Sequence, residues 1–251
     1  MLLHVDNKSF KIKPTGPEIG GIKVRFAKAA SVKDMDTKQI AECLAAGKTI
    51  QPGVTPLSEK SRAAGKKGTC KEDWIRQTIF LSDIDNENAD IPQETPEHIA
   101  KVLAEHNLRV AFIYESFHSS AEQVRFRFAV VCDEEVTDPA ERERIQSALI
   151  AVSPQSDMGC TNADRIFFGT DKGMLEEFCN YDAVCSKADL LALADEFKLP
   201  EGPVGSIEKP KYEKKSEWTK YGQIIPAGQR HGTLVSFAAT VLKKYGVTEK
   251  A

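Results

Sequence analysis

Apolar and polar positions along the chain fall into three patterned blocks separated by polar stretches. In residues 1–77, Ile22–Phe26 reads as a strand and Thr37–Ala46 as a helix. Residues 47–69 follow, rich in Lys, Gly, Ser and Pro, and read as a loop. Its Lys60, Arg62, Lys66 and Lys67 lead on to Lys71 and Arg76. Such a charge run is either a solvated loop or a surface for nucleic-acid phosphates.

Residues 78–198 alternate strands and helices. Thr78–Ser82 reads as a buried strand. Thr95-Pro96 predicts a helix start, because threonine caps free amides and proline is pre-set for the first turn. Ile99, Val102 and Leu103 share a face of that helix, and Asn107 is its expected left-handed stop. Arg109–Phe117 and Val124–Cys132 read as two further strands. Thr137 is expected to cap a helix with the stripe Ile145, Ala148, Leu149 and Val152. Arg165–Gly169 reads as a short strand and Lys187–Phe197 as a helix. Together these predict an α+β fold, a mixed sheet with helices packed on it.

Beyond this block, Pro200, Gly202, Pro203 and the lysine-rich run Lys209–Lys215 predict a linker. From Gly228 onward Leu234, Phe237, Ala238, Val241 and Leu242 recur at helical spacing. The expected organisation is a main domain at 1–200, a linker at 201–217 and a helical segment at 218–251.

Composition narrows this little. Hydrophobic residues are 41% and charged residues 28%, and at this length a core forms without disulfides or a structural metal. The 34 basic and 37 acidic side chains leave a formal charge of -3, so any nucleic-acid surface is a local patch. No run approaches the ~18 apolar residues of a membrane helix. The start, Met1-Leu2-Leu3-His4, is not a signal peptide, so a cytoplasmic protein without membrane partners is expected. The six cysteines contain no C-x-x-C pair and read as reduced, mostly buried thiols. A zinc site from Cys160, Cys179, Cys185 and His231 is the alternative, with irregular spacing.

Asp83 and Asp85 end a strand, where residues two apart share a side, so both carboxylates face one way and Ile84 faces the core. Carboxylates so close repel unless a positive group lies between them, and a hard divalent cation suits oxygen ligands. A polar turn is the competing reading of the same residues. On the next strand Ser116 and His118 are expected to share a face, beside the Asp83 strand or nearly so. Arg125 and Arg127 form a third row, and a guanidinium fork suits phosphate. Asp157, eight residues before Arg165, is a candidate third carboxylate, with Asp133 as its competitor.

These residues resemble the three motifs of the archaeo-eukaryotic primase superfamily: Asp83-x-Asp85, Ser116-x-His118, and a later Asp followed by Arg. The surrounding Phe80–Asn86, Tyr114–Ser120, Arg125–Phe128 and Arg165–Gly169 are similar to its phage and plasmid replication branch. Ile225–His231 looks like the start of the small helical domain that follows the primase domain, with His231 where that family shows Asn.

The resemblance implies an RRM-like catalytic sheet joined to an N-terminal α/β unit. It also implies template-directed primer synthesis or DNA extension from nucleoside triphosphates on single-stranded DNA. Asp83, Asp85 and Asp157 would hold two Mg2+ or Mn2+ ions. His118, helped by Ser116, would donate to the triphosphate, and Arg127 and Arg165 would clamp phosphate. Such proteins often continue into a helicase, but no G-x-x-x-x-G-K-[ST] motif occurs in these residues. A metal-dependent nuclease and a non-catalytic replication initiator are the alternatives.

Overall fold

The computed structural model describes residues 1–197, 219–220 and 223–224. A first unit spans Met1–Val204 and a second Gly205–Ala251. The first runs β1 (Leu2–Ser9), α1 (Gly16–Phe26), β2 (Val32–Asp34), α2 (Thr37–Ala45), β3 (Lys48–Gln51) and α3 (Glu59–Ala63). It continues with β4 (Gln77–Ile84), α4 (Pro96–Glu105), β5 (Phe112–Glu115), β6 (Phe126–Val136), α5 (Pro139–Ala151) and α6 (Lys187–Glu196). The second unit contributes β7 (Thr219–Lys220) and β8 (Gln223–Ile224), an antiparallel pair. The predicted linker and the helix beyond Gly228 lie outside the described residues.

The fold is mixed α and β, with two three-stranded sheets in the first unit, ordered β2-β1-β3 and β4-β6-β5. Every ladder in them is antiparallel, which corrects the expected mixed sheet. The Asp83 strand β4 and the following strand β5 are not neighbours. Helix α4 carries the chain far enough to leave a gap one strand wide, and β6 returns through it.

Both faces of β4-β6-β5 are covered, which is why Thr78–Ser82 reads as a continuous apolar run. Phe80, Ile84, Phe126, Phe128 and Val130 pack under the helices through Ile99, Leu103, Ile145, Leu149 and Leu190. On the other face Ile79, Leu81, Phe112, Tyr114 and Val131 meet Leu3, Val5 and Ile50 of the N-terminal sheet and Ile40 and Leu44 of α2. The period of two then assigns Asp83 to the N-terminal side and Ile84 to the helical side.

Several expectations change. Ile22–Phe26 is the end of helix α1: Ile22 and Phe26 fit either period, but Val24 between them is exposed. Pro17 near the helix start, Glu18 in the first turn, and Lys23 and Arg25 in the last favour the helix over a strand. Residues 47–69 are not one solvated loop. They hold β3 and α3, and Thr49, Ile50, Gln51, Val54 and Thr55 are buried. The cap of α5 is Asp138, whose carboxylate accepts from Ala140 and Glu141 amides, rather than Thr137.

Residues 165–169 form no extended strand. They make one bridge, Phe167 to Ile50, with both amides donating across it at 2.8 and 2.9 Å. That bridge brings Gly169 so close to the α2–β3 turn that a Cβ there would lie 2.4 Å from the Leu44 carbonyl and 2.6 Å from that of Lys48. The 165–169 segment is thereby held against the N-terminal sheet, close to the Asp83 face.

Candidate functional site

The β4-β6-β5 register aligns Asp83 with Arg127, and Arg127 with Tyr114, in one row across the sheet. Arg127 is ion-paired through Nη2 with Asp83 Oδ2 at 3.0 Å and donates through Nη1 to the Phe168 carbonyl at 3.0 Å. Tyr114 donates its hydroxyl to that carbonyl at 3.1 Å, and the guanidinium carbon lies 5.7 Å from the Tyr114 ring centre. Burial alone would lower the pKa of Arg127, but Asp83 and Tyr114 together outweigh it and the net direction is up. Arg127 is thus committed to holding Asp83.

Asp157 comes from the far side of β4. The Asp85 amide donates to the Gln155 carbonyl at 3.1 Å and the Asp157 amide to the Asp83 carbonyl at 2.8 Å. Residues 155–157 therefore run along the free edge of β4 and set Asp157 beside Asp83. Asp157 Oδ1 accepts from the Gly159 amide at 2.7 Å, and Oδ2 is paired with Arg165, which also lies 3.7 Å from Asp83 Oδ2. A Cβ on Gly159 would lie 2.8 Å from Arg165 Nη1. Asp85 faces Arg125 at 3.8 Å, and Arg125 also pairs with Glu87 at 3.2 Å. Asn86, with φ of 50°, ties the following turn to Glu94 and Val124 through its side-chain amide.

These side chains line a cleft of about 410 Å³. Its acids are Asp83, Asp85, Glu87, Asp157 and Asp164, and its bases Lys13, Lys23, Arg125, Arg127 and Arg165. The five of each sign make the cleft electrically balanced. Asp83 Oδ1 is nonetheless buried with no hydrogen-bond partner, as are the Nε atoms of Arg125, Arg127 and Arg165. The carboxyl of Asp85 sits above the ordinary range, through burial first and then the charges of Asp83 and Asp157. A larger hollow of about 770 Å³ on the N-terminal sheet contains no such orphan, and its buried Asp6 is closed by Arg25 at 2.6 and 2.7 Å.

The expected Ser116–His118 row is corrected. Strand β5 ends at Glu115, so Ser116 is buried beside it while His118 stands exposed in the turn that follows. The pKa of His118 is lowered by partial burial, then by Lys13, Arg125 and Arg127, which puts it near the bases of the cleft without lining it. Asp133 lies six residues along β6 from Arg127, about 20 Å away. There it accepts from the Lys187 amide at 2.9 Å, at the start of α6. Cys160 and Cys185 belong to cores on opposite faces of the sheet and cannot share an ion; His231 lies outside the described residues. All six thiols are free.

Sequence reasoning missed Lys13, Lys23 and Arg142. Arg142 reaches from α5 to the Thr161 and Asn162 carbonyls, just after Asp157. Its position three residues before Ile145 put a charge on an apolar stripe, which was the available signal.

Among the described residues no three His, Cys, Asp or Glu side chains converge tightly enough to close a metal site. The donor chemistry fits a hard divalent cation all the same. Asp83, Asp85 and Asp157 offer only oxygens, one of them buried and unpartnered, and they repel one another at Asp85. Arginines face Asp83 Oδ2, Asp85 Oδ1 and Asp157 Oδ2. Among the described residues no helix is long and apolar enough to cross a membrane.

No family model matches the chain, and no curated protein matches it. Among solved structures, the AEP domain (PP-N190) of the cyanophage S-2L primase-polymerase (PrimPol) is similar to it. The identity is 13%, over 65% of this chain and 79% of that chain, with a TM-score of 0.38.

Proposed function

We propose that this chain is a metal-dependent nucleotidyltransferase of the primase-polymerase type, acting on single-stranded DNA in the replication of a phage or plasmid. One observation carries the reading. Asp83, Asp85 and Asp157, from two separate segments, meet in one cleft beside Arg125 and Arg165, with an Asp83 oxygen buried and unpartnered. The strand order β4-β6-β5, helices on one face and a second sheet on the other, supports an RRM-like catalytic sheet joined to an N-terminal α/β unit. Residues 1–200 form the catalytic domain in this reading, 201–217 the linker and 218–251 the start of a helical domain, with a helicase as expected partner.

Asp83, Asp85 and Asp157 hold the divalent ions. Bound Mg2+ or Mn2+ supplies a lowered pKa at the attacking 3′-hydroxyl and neutralises charge on the triphosphate. Arg127 orients Asp83, a different task from the phosphate clamp expected of it. Arg165 and Arg125, each with an unpartnered Nε, donate to phosphate oxygens. His118 meets an arriving triphosphate that reverses the sign of its surroundings, so the imidazole takes up a proton and donates, with Ser116 nearby.

Incubation with single-stranded template, labelled nucleotides and Mn2+ tests this. Template-dependent extension is expected, and Asp83→Ala with Asp85→Ala should abolish it in a folded protein. Extension that survives the double change overturns the metal assignment. Degradation of DNA without added nucleotides favours a nuclease, and tight binding indifferent to Asp83 favours an initiator.

A further inference from the structure

Arg165 holds a position that a bound cation would contest. Its Nη2 is paired with Asp157 Oδ2 and lies 3.7 Å from Asp83 Oδ2, so one guanidinium spans the two carboxylates. The side chain is 31% exposed, against 6% for that of Arg127, and its guanidinium carbon lies 6.0 Å from the Phe167 ring centre. Arg127, by contrast, is buried and tied to a backbone carbonyl. The cleft thus contains a buried arginine on Asp83 and a partly exposed arginine that spans Asp83 and Asp157.

We infer that Arg165 is an exchangeable counter-ion: it bridges Asp83 and Asp157 in the empty cleft and transfers to a phosphate oxygen when a metal–triphosphate complex enters. The inference deepens the proposed function and rests on it. Charge balance supports the exchange. Five acids and five bases line the empty cleft. Two divalent ions bring about four positive charges and a triphosphate about four negative, so the pair enters without net charge and either alone does not. A metal ion alone must displace Arg165 into water. A triphosphate alone draws Arg165 away and leaves Asp83 and Asp157 facing each other. The complex satisfies both, because the guanidinium released by the carboxylates meets phosphate.

The signature is opposite effects of one substitution. In Arg165→Gln, Mn2+ alone should bind about tenfold more tightly than in the unaltered chain, and preformed manganese–tripolyphosphate about tenfold more weakly. Free Mn2+ is read by its electron paramagnetic resonance signal, and the complex by calorimetry. A merely structural Arg165 would weaken both. If Mn2+ binding alone is unchanged or weaker in the folded variant, the exchange is wrong. Should Arg165→Gln fail to fold, Arg165→Lys decides: a single-point cation should shift both affinities in the same directions by less, and unchanged affinities overturn the inference. No turnover is involved. Opposite shifts without primer extension would therefore sink the polymerase reading and keep the exchange, and the converse result would do the reverse.

Discussion

At Asp83 and Arg127 two buried charges depend on each other. Asp83 is 3% exposed and Arg127 5%, and the pair is 3.0 Å apart. Replacing Arg127 with Met leaves a buried carboxylate without its main partner, a loss of about 3–5 kcal/mol. Adding Asp83→Asn to Arg127→Met should recover much of that, and a urea-unfolding double-mutant cycle measures it. His4 sets a different dependence. Its Nε2 accepts from the Thr55 amide at 2.9 Å, so Nδ1 carries the proton toward Ser31 at 2.8 Å. Burial lowers its pKa from 6.5 to about 4, and the neutral form is the one the fold accepts. Stability from this group is full above pH 6.5 and falls as pH drops toward 4, by about 3 kcal/mol. His4→Gln should flatten that part of the stability–pH curve; an unchanged slope in urea unfolding between pH 7 and 4 would remove His4 as its cause.

Between elements, the 3-10 turn Met158–Thr161 and the bridge at Phe167 deliver Asp157 and Arg165 to the cleft. Helix α5 anchors that stretch through Arg142, which is buried and donates to Gln77, Thr161 and Asn162 without a carboxylate partner. Burial lowers its pKa to about 10, so it stays charged at neutral pH. Arg142→Met leaves the Thr161 and Asn162 carbonyls and Gln77 Oε1 without this donor and should cost about 2–3 kcal/mol. Amide exchange should accelerate across residues 157–165 while α4 keeps its protection. Uniform acceleration across the chain would show a general loss of stability instead.

For the molecule as a whole, the assignment of the third carboxylate is the sharpest test. Asp157→Asn should abolish template-directed synthesis with the fold intact. Asp133→Asn should leave synthesis in place and cost about 1 kcal/mol, since it touches only the first turn of α6. The reverse pattern in parallel extension and melting measurements would move the site to the other end of β6. The two sheets also explain how uneven the legibility was. Helices α2, α4 and α6 were read nearly to the residue because an apolar face and a cap write themselves locally. Strand β1 was not, because His4 and Asp6 are buried among Leu3 and Val5, satisfied by Ser31, Thr55 and Arg25 from elsewhere.

The sequence by itself determined the alternation of strands and helices, the shared side of Asp83 and Asp85, and the presence of Arg and Asp within a few residues of each other. These follow from spacing along one segment, and spacing acts over a few residues. Only the tertiary structure decided which strand lies beside β4, that Asp157 and not Asp133 meets Asp83, and that Arg127 faces a carboxylate and a carbonyl while Arg165 spans Asp83 and Asp157. The physical reason is that strand order and edge pairing are contacts between segments far apart in the chain. They are set by which surfaces must be buried together, and no local pattern records the partner.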